Sequence, residues 1–504
     1  MTSRVPILVI LGATGTGKSK LAIQLAQKYC GEIISADSMQ VYKGLDVITA
    51  KVTKEEQAMA PHHMLDVVDP LSTFSVVDFR NRALPVIDKL LSVEKVPIIV
   101  GGTNYYIESL LWQVLIEDPK DTAIDEPCSS LVFDRDDGFV NMRGSDVVKS
   151  DRATSVVVVD DENRSAVGEN RVSDVCESET QEYESADIDA PASKKIKFDD
   201  AISTDELHRK LREVDATMAD RLHPNDRRKI IRSLQVFDQF GTKHSEILRE
   251  QQLAGGSGLG GPLRYHNSVI LWLQCDQNNT NQCRNYLGLR QSLYAVLDKR
   301  LDHRVDSMLK AGLVEELLDF HRRYNEGRIK ENALPDYTKG IFQSIGFKEF
   351  HDYLILPEDQ RSSDMGEKLL KLGIENLKLR TRRYARRQQR WVTNRFIRRF
   401  DRQVPPVYPL DCTDVAQWDQ KVLGPAMSII TDRLEGQTPS HKSLNNNKTE
   451  NFAIPDSNTE RTRYCETCER VFVGDFQWKA HMEGKKHQRV AKRKKINQLM
   501  QDPK

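Results

Sequence analysis

The eight residues Gly12-Ala-Thr-Gly-Thr-Gly17-Lys18-Ser19 stand between an apolar, β-branched run, Val5 to Leu11, and a stretch with helical spacing that starts at Leu21. Strand, glycine-rich turn and helix N-terminus in that order make a phosphate-binding loop. The turn aims several backbone N–H groups and the positive end of the helix dipole at one cluster of oxyanions. Gly12, Gly15 and Gly17 let the backbone approach a phosphate, Thr14 and Thr16 are placed to add hydroxyl contacts, Lys18 is the movable charge and Ser19 is a magnesium ligand. Such a chain is committed to an α/β core, and its ligand carries a diphosphate or triphosphate. The motif alone does not choose between phosphate esters.

From Val5 to about Leu115 the pattern alternates: Glu32 to Ala36 and Val96 to Val100 read as buried strands, and Val77 to Leu91 as a helix between them. That is the signature of a parallel sheet with helices on both faces. At 504 residues the chain is too long for one core, and its composition shifts mark the divisions. Residues 1–116 are the first part of the P-loop catalytic domain. Residues 117–203 are acidic and aperiodic and cannot bury enough surface to order themselves. Helical patterning returns over 204–436, which holds a helical half and the remainder of the core, with helices over Asn225 to Phe240, Asp298 to Tyr324 and Lys368 to Arg399. After Pro405 the sequence reads as loop, 437–459 as a polar linker, and 460–495 as a small separate module.

The 74 Lys and Arg residues cancel the 74 Asp and Glu in total but not locally. Arg380 to Arg399 contains no acidic residue and interleaves its arginines with Tyr384, Trp391 and Phe396, a composition suited to tracking nucleic-acid phosphates. Arg383, Arg386 and Arg387 are the candidate phosphate contacts; some of the arginines can equally be surface charges of an amphipathic helix. The eight cysteines are scattered apart from Cys465 and Cys468, and there is neither a secretory signal nor an apolar run of membrane-spanning length. These features predict a monomeric protein of a reducing compartment, cytoplasmic, with the nucleus and the mitochondrion as further destinations. The phosphate loop begins too near Met1 for a long presequence. Lys194-Lys-Ile-Lys197 reads as a solvated charge cluster, with a nuclear address as the alternative.

In the last module Cys465 and Cys468 are followed after twelve residues by His481 and after five more by His487. That is the spacing of a structural zinc site with two thiolates from a turn and two imidazoles from a helix. Phe472 and Trp478 fall where such a finger needs its few core side chains, and the metal supplies most of the folding free energy, on the order of 10 kcal/mol. The wide histidine spacing and the tail Lys485-Lys486 and Lys492-Arg-Lys-Lys495 resemble matrin-type fingers, which meet structured RNA; binding to protein is the alternative.

The string Ser35-Ala36-Asp37-Ser38-Met39-Gln40-Val41-Tyr42 follows the second strand, so Asp37 should face the phosphate loop. Alone, such an Asp is often a turn former. With Thr49-Ala50-Lys51, His62-His63-Met64-Leu65-Asp66, Phe74 to Phe79 and Gly101-Gly102-Thr103-Asn104-Tyr105-Tyr106, it resembles the tRNA dimethylallyltransferase family. The likeness resumes at Leu222-His223-Pro224-Asn225 through Leu234, at Gly340 to Glu349 and at Arg383 to Gln388, and covers most of residues 5 to 400. The finger is similar to the eukaryotic branch. The acidic stretch and the extra residues Asn278 to Tyr294 depart from the family pattern.

The resemblance implies transfer of a dimethylallyl group from its diphosphate to N6 of the adenosine just 3′ of the anticodon. The phosphate loop and a magnesium ion held partly by Ser19 would meet the charge of the leaving diphosphate. Asp37 would take the proton that N6 sheds, since a carboxylate is a sufficient acceptor once the new bond forms. Ser38, Met39 and Gln40 would meet the adenine, a glutamine amide matching its donor and acceptor pair. Thr103, Arg228 and Arg232 match family positions that contact tRNA or diphosphate, Arg228 being assigned to both. The base must leave the anticodon loop, and single-stranded nucleotides are the cheapest to extrude. A P-loop kinase of a small metabolite, an adenylate isopentenyltransferase and an RNA-binding adaptor are the alternatives. Intact Lys18, Ser19 and Asp37 disfavour the adaptor, and the helical half and finger are superfluous for a free nucleotide.

Overall fold

A computed structural model describes residues 5–113, 202–257, 260–275, 295–324, 337, 340–398, 402–445 and 462–501. The acidic stretch up to residue 201, its Lys194–Lys197 cluster and the extra residues Asn278 to Tyr294 lie outside the described residues.

Six strands form one parallel sheet: β1 (Ile7–Gly12), β2 (Glu32–Ser35), β3 (His62–His63), β4 (Pro97–Val100), β5 (Ser268–Gln274) and β6 (Val407–Asp411), in the order β3-β2-β4-β1-β5-β6. All six residues of β1 are buried because it is covered on both faces. Leu8 and Ile10 pack with Leu21 and Leu25 of helix α1 (Lys18–Tyr29), whereas Ile7, Val9 and Leu11 pack with Phe79, Ala83 and Ile87 of the helix that precedes β4. That helix, Val76–Ser92, starts where its side chains dictate. Ser75 accepts the Asp78 N–H at 3.2 Å while Asp78 accepts the Ser75 N–H at 2.8 Å, so two orphan donors of the first turn are satisfied reciprocally.

The segment after Pro405 departs from its sequence reading as loop. β6 pairs with β5 from Ile270↔Val407 to Gln274↔Asp411 and supplies the edge of the sheet, and helix Gly424–Leu434 buries Ile429 and Ile430 beside α1. A five-residue strand carrying a proline gives little periodicity, so only pairing with β5 reveals it. The first part of the stretch read as linker is also anchored. The Asn445 carboxamide accepts the Val407 N–H at 3.0 Å and donates to the Pro405 carbonyl at 2.9 Å, satisfying backbone groups of an edge strand.

The helical half has two cores. Helices Thr204–Val214, Ala216–Arg221 and Arg227–Phe240 close around Leu207, Leu211, Met218, Ile230 and Leu234. The second core joins Phe320, Phe342, Phe347, Phe350 and Leu377 to Val41, Tyr42 and Ile48, so the segment that follows β2 is packed into the helical half. The helix expected over Asp298 to Tyr324 is two, Ala295–Lys310 and Leu313–Tyr324, separated at Gly312, whose φ is +91°. The long helix Asp364–Val392 runs against the first of these through Lys378–Asp306, Arg382–Asp302 and Arg386–Asp298. Steps of four residues on both helices place these pairs along one seam. Among the described residues no helix is long and apolar enough to cross a membrane.

Candidate active site

The loops at the carboxyl ends of β2, β4 and β1 lie side by side in the sheet, and strands about 4.8 Å apart bring their residues into one cleft. Gly17 caps α1 with φ +87°, and a Cβ there would stand 2.8 Å from the Trp418 ring. Only glycine fits both the left-handed backbone and the space. Thr16 Oγ1 and Lys18 Nζ donate to the Ala13 carbonyl at 2.8 and 2.9 Å, which tightens the turn. Burial, helped by the neighbouring Arg304 and opposed by Asp37, lowers the Lys18 pKa to about 8.

Asp37 accepts the Met39 N–H through Oδ1 at 3.0 Å. The Asp37 charge also acts on both Lys18 and Arg304. Arg304, on helix Ala295–Lys310, has its pKa lowered by burial while Asp37 pulls it upward. Tyr384 of the long helix stays a neutral phenol, because burial and the Asp37 carboxylate both raise its pKa, and it donates to the Gly102 carbonyl at 3.2 Å. Gly102 has no spare room: a Cβ would lie 2.9 Å from Asp37 Oδ2, 2.9 Å from Gln388 Nε2 and 3.3 Å from the Tyr384 hydroxyl.

Thr103 Oγ1 accepts the Ser38 N–H at 2.9 Å and donates to Ser38 Oγ at 3.1 Å, holding the loops after β2 and β4 together. Gln40 is engaged within the chain: its Oε1 accepts from Ser35 at 3.1 Å, and its Nε2 donates to the Thr49 and Ala50 carbonyls at 3.1 and 3.2 Å. Met39 packs its side chain on the second helical core. Reading a base with the Gln40 carboxamide would therefore require breaking a hydrogen bond that shapes the loop. That loop is clamped from the far side by Glu316, whose carboxylate accepts the Val47 and Ile48 N–H groups at 2.9 and 2.8 Å.

Of the long helix's arginines, Arg386 is engaged with Asp298 at 2.5 Å, whereas Arg383 and Arg387 are exposed. Acids absent from the helix beyond Arg380 are thus supplied by its neighbour. The Arg387 guanidinium lies 5.9 Å from the Tyr384 ring centroid, and the partial desolvation of its head there lowers its pKa, with Arg380, Arg390 and Arg383 adding to the effect. Four guanidiniums spaced over about three turns concentrate positive charge, which favours an anionic partner. Arg228 and Arg232 are exposed on helix Arg227–Phe240, whose buried side faces its own small core. The cation beside Lys18 is Arg304, which sequence spacing does not single out. Leu297, Leu301 and Val305 form a buried helical stripe, and an arginine bordering such a stripe reads as surface charge.

In the finger, strands Thr462–Cys465 and Arg470–Val473 pair antiparallel ahead of helix Asp475–Met482. Phe472 stacks on His481 with ring centroids 3.9 Å apart and lies 6.2 Å from Trp478, the small core that the spacing predicts. His487 Nδ1 lies 3.6 Å from Cys465 Sγ, 3.5 Å from Cys468 Sγ and 3.1 Å from His481 Nε2. A tetrahedral zinc with ordinary bond lengths needs about 3.5 Å between sulfur and nitrogen and about 3.3 Å between nitrogens, so this donor set fits the ion. The finger touches the helical half through Thr462, which donates to the Asp220 carbonyl. Zinc removal or Cys465→Ser is expected to unfold the finger, seen as loss of near-ultraviolet dichroism from Trp478, without moving the melting of the sheet domain. A downward shift of that melting would mean that the finger is integral to the core.

A phosphate loop facing an acidic residue across three adjacent strand ends, with a helical half and a basic stripe beside them, defines a P-loop transferase of α/β class. The family model for IPP transferase matches residues 40–137 and 175–395, that for isopentenyl transferase residues 5–66, and that for the zinc-finger of C2H2 type residues 463–487. The human protein called tRNA dimethylallyltransferase is 43% identical over 500 residues, covering 98% of this chain and 87% of its own length. The Schizosaccharomyces pombe protein of the same name is 32% identical over 392 residues, covering 78% and 69%. A solved eukaryotic dimethylallyltransferase, described as acting on tRNA, superposes with a TM-score of 0.64 at 25% identity over 99% of both chains. The chain belongs to the tRNA dimethylallyltransferase family.

Proposed function

We propose that the protein transfers a dimethylallyl group from dimethylallyl diphosphate to N6 of the adenosine 3′-adjacent to the anticodon of tRNA, releasing diphosphate. The observation that carries this reading is the Asp37 carboxylate sharing one cleft with Lys18 and Arg304. The cations suit a leaving diphosphate, and the carboxylate suits an acceptor that loses a proton. The loop amides from Gly12 to Ser19, with Lys18 and Arg304, hold the diphosphate as its charge grows. Magnesium, with the exposed Ser19 hydroxyl in the first turn of α1 as one ligand, would offset that charge further. Ser38 and Thr103 place the adenine, Asp37 takes its proton, and Arg383 and Arg387 lead the anticodon stem-loop to the cleft. The protein acts as a monomer in this reading. A cytoplasmic site of action, with nucleus or mitochondrion as further destinations, fits the tRNA substrate.

The test is nucleoside mass spectrometry of an unmodified tRNA carrying adenosine beside the anticodon, incubated with protein, magnesium and dimethylallyl diphosphate. N6-dimethylallyl adenosine is expected. Absence of product together with magnesium-dependent consumption of ATP would replace this reading with the kinase.

Arg304→Gln is expected to weaken donor binding about 10- to 100-fold, the loss typical of a charge-assisted contact. Because Arg304 also depresses the Lys18 pKa, the same change should move the alkaline limb of donor binding to higher pH. Unchanged affinity with an unmoved limb would remove Arg304 from the diphosphate site.

A further inference from the structure

Gln388 lies in the long helix, far in sequence from both loops of the cleft, and is 1% exposed. Its Oε1 accepts the Thr14 N–H of the phosphate loop at 2.9 Å, and its Nε2 donates to the Gly102 carbonyl at 2.9 Å. The same Gly102 carbonyl receives the Tyr384 hydroxyl one helical turn earlier. One planar group thus ties the loop after β1 to the loop after β4. The latter carries Thr103, which in turn holds Ser38 beside Asp37.

We propose that Gln388 is a positioning residue that holds the diphosphate loop and the acceptor loop in register, so that the allylic carbon meets the adenine nitrogen at reacting distance. The inference rests on the prenyl-transfer reading above. A carboxamide suits the task because it offers one acceptor and one donor in a fixed plane, matching the one N–H and the one C=O that the two loops present to it. If Gln388 merely filled space, methionine would serve as well. A misplacement of about 1 Å between reacting groups can cost on the order of 100-fold in rate with little change in the binding of either partner.

Gln388→Met, which keeps the volume and loses both hydrogen bonds, is therefore expected to lower kcat by about 10- to 100-fold, while KM for tRNA and for dimethylallyl diphosphate stay within about threefold. Gln388→Glu gives the readout that packing cannot mimic. A protonated glutamic acid is isosteric with glutamine, its carbonyl accepting from Thr14 and its hydroxyl donating to Gly102; the carboxylate cannot donate to Gly102. The groups beside it are Asp37, whose Oδ2 shares the Gly102 surroundings with Gln388 Nε2, and Tyr384 of its own helix; the cations Lys18 and Arg304 act on Asp37, and Arg387 acts on Tyr384. Burial and Asp37 favour the acid form, and the cations oppose it.

The kcat of Gln388→Glu relative to Gln388→Met should rise as pH falls, approaching wild type on the acid side, and drop to the level of Gln388→Met on the alkaline side. Wild-type kcat in both variants, or parallel pH profiles for the two, would overturn the proposal. Should Gln388→Met fail to fold, the kcat of Gln388→Glu is read against wild type instead: the ratio should approach one on the acid side and fall about 10- to 100-fold on the alkaline side, and a ratio that does not change with pH would overturn the proposal. Failure of the wild type to form product would instead overturn the prenyl-transfer reading on which it rests.

Discussion

Asp37→Ala is expected to lower kcat for prenyl transfer by about 10³-fold, within the range typical of losing a positioned general base. tRNA affinity should stay within a few-fold of wild type. The nitrogen of an exocyclic amino group attacks poorly because its lone pair is delocalised into the ring, and the barrier falls only if its proton departs as the bond to carbon forms. Asp37 is placed for this by its own loop, with Oδ1 bonded to the Met39 N–H and Oδ2 on the side of Gly102. Asp37→Asn makes the sharper variant. Its carboxamide oxygen can still accept the Met39 N–H, so the loop keeps its shape while the base is lost. Both substitutions are assayed by single-turnover product formation and by tRNA binding. Loss of binding in Asp37→Asn would make the residue an RNA contact instead of the proton acceptor.

Lys18→Ala is expected to lower kcat by about 10² to 10³-fold, the loss found when a preorganised donor to a developing anion is removed. The lysine also sets a pH dependence whose sign follows from its pKa of about 8 in the unliganded protein. Only the ammonium form attracts diphosphate, and bound diphosphate raises the lysine's pKa, so binding above pH 8 takes up a proton. Donor affinity should thus be level below pH 8 and weaken on the alkaline side, by about 30-fold between pH 7 and 9.5 on simple linkage. Calorimetry across that range checks it. In Lys18→Ala this limb should vanish; its persistence there would assign the titration to another group.

The phosphate loop, strands β1, β2 and β4, the helix before β4 and the ligand set of the finger were all readable from residue order. Each is written in local signals: β-branched runs, a capping pair at Ser75 and Asp78, glycines at positive φ, and cysteine and histidine spacing. β6 was not, because a short edge strand has almost no periodicity of its own and acquires its role only from the backbone of β5. The partners of the long helix's arginines were hidden for the same reason. Its sequence holds no acids beyond Arg380, yet Asp298 and Asp302 from another helix engage Arg386 and Arg382 and leave Arg383 and Arg387 exposed. These ion pairs are only half-buried and still meet solvent, so each contributes on the order of 1 kcal/mol, and their consequence is for which cations can meet an anionic partner more than for stability.

Local chemistry in the sequence determined that the chain carries a phosphate-binding loop at the end of its first strand, an acid after its second and the four ligands of a metal finger between residues 465 and 487. Only the tertiary structure decided what completes the cleft: Arg304 beside Lys18, Trp418 against Gly17, Glu316 on the Val47 and Ile48 N–H groups of the loop after β2, and Gln388 between Thr14 and Gly102. Glycine turns, caps and metal spacings are set by interactions within a few residues, which sequence order displays directly. The residues that complete the cleft come from helices hundreds of positions away. A side chain's partner across such a distance is chosen by the packing of whole elements.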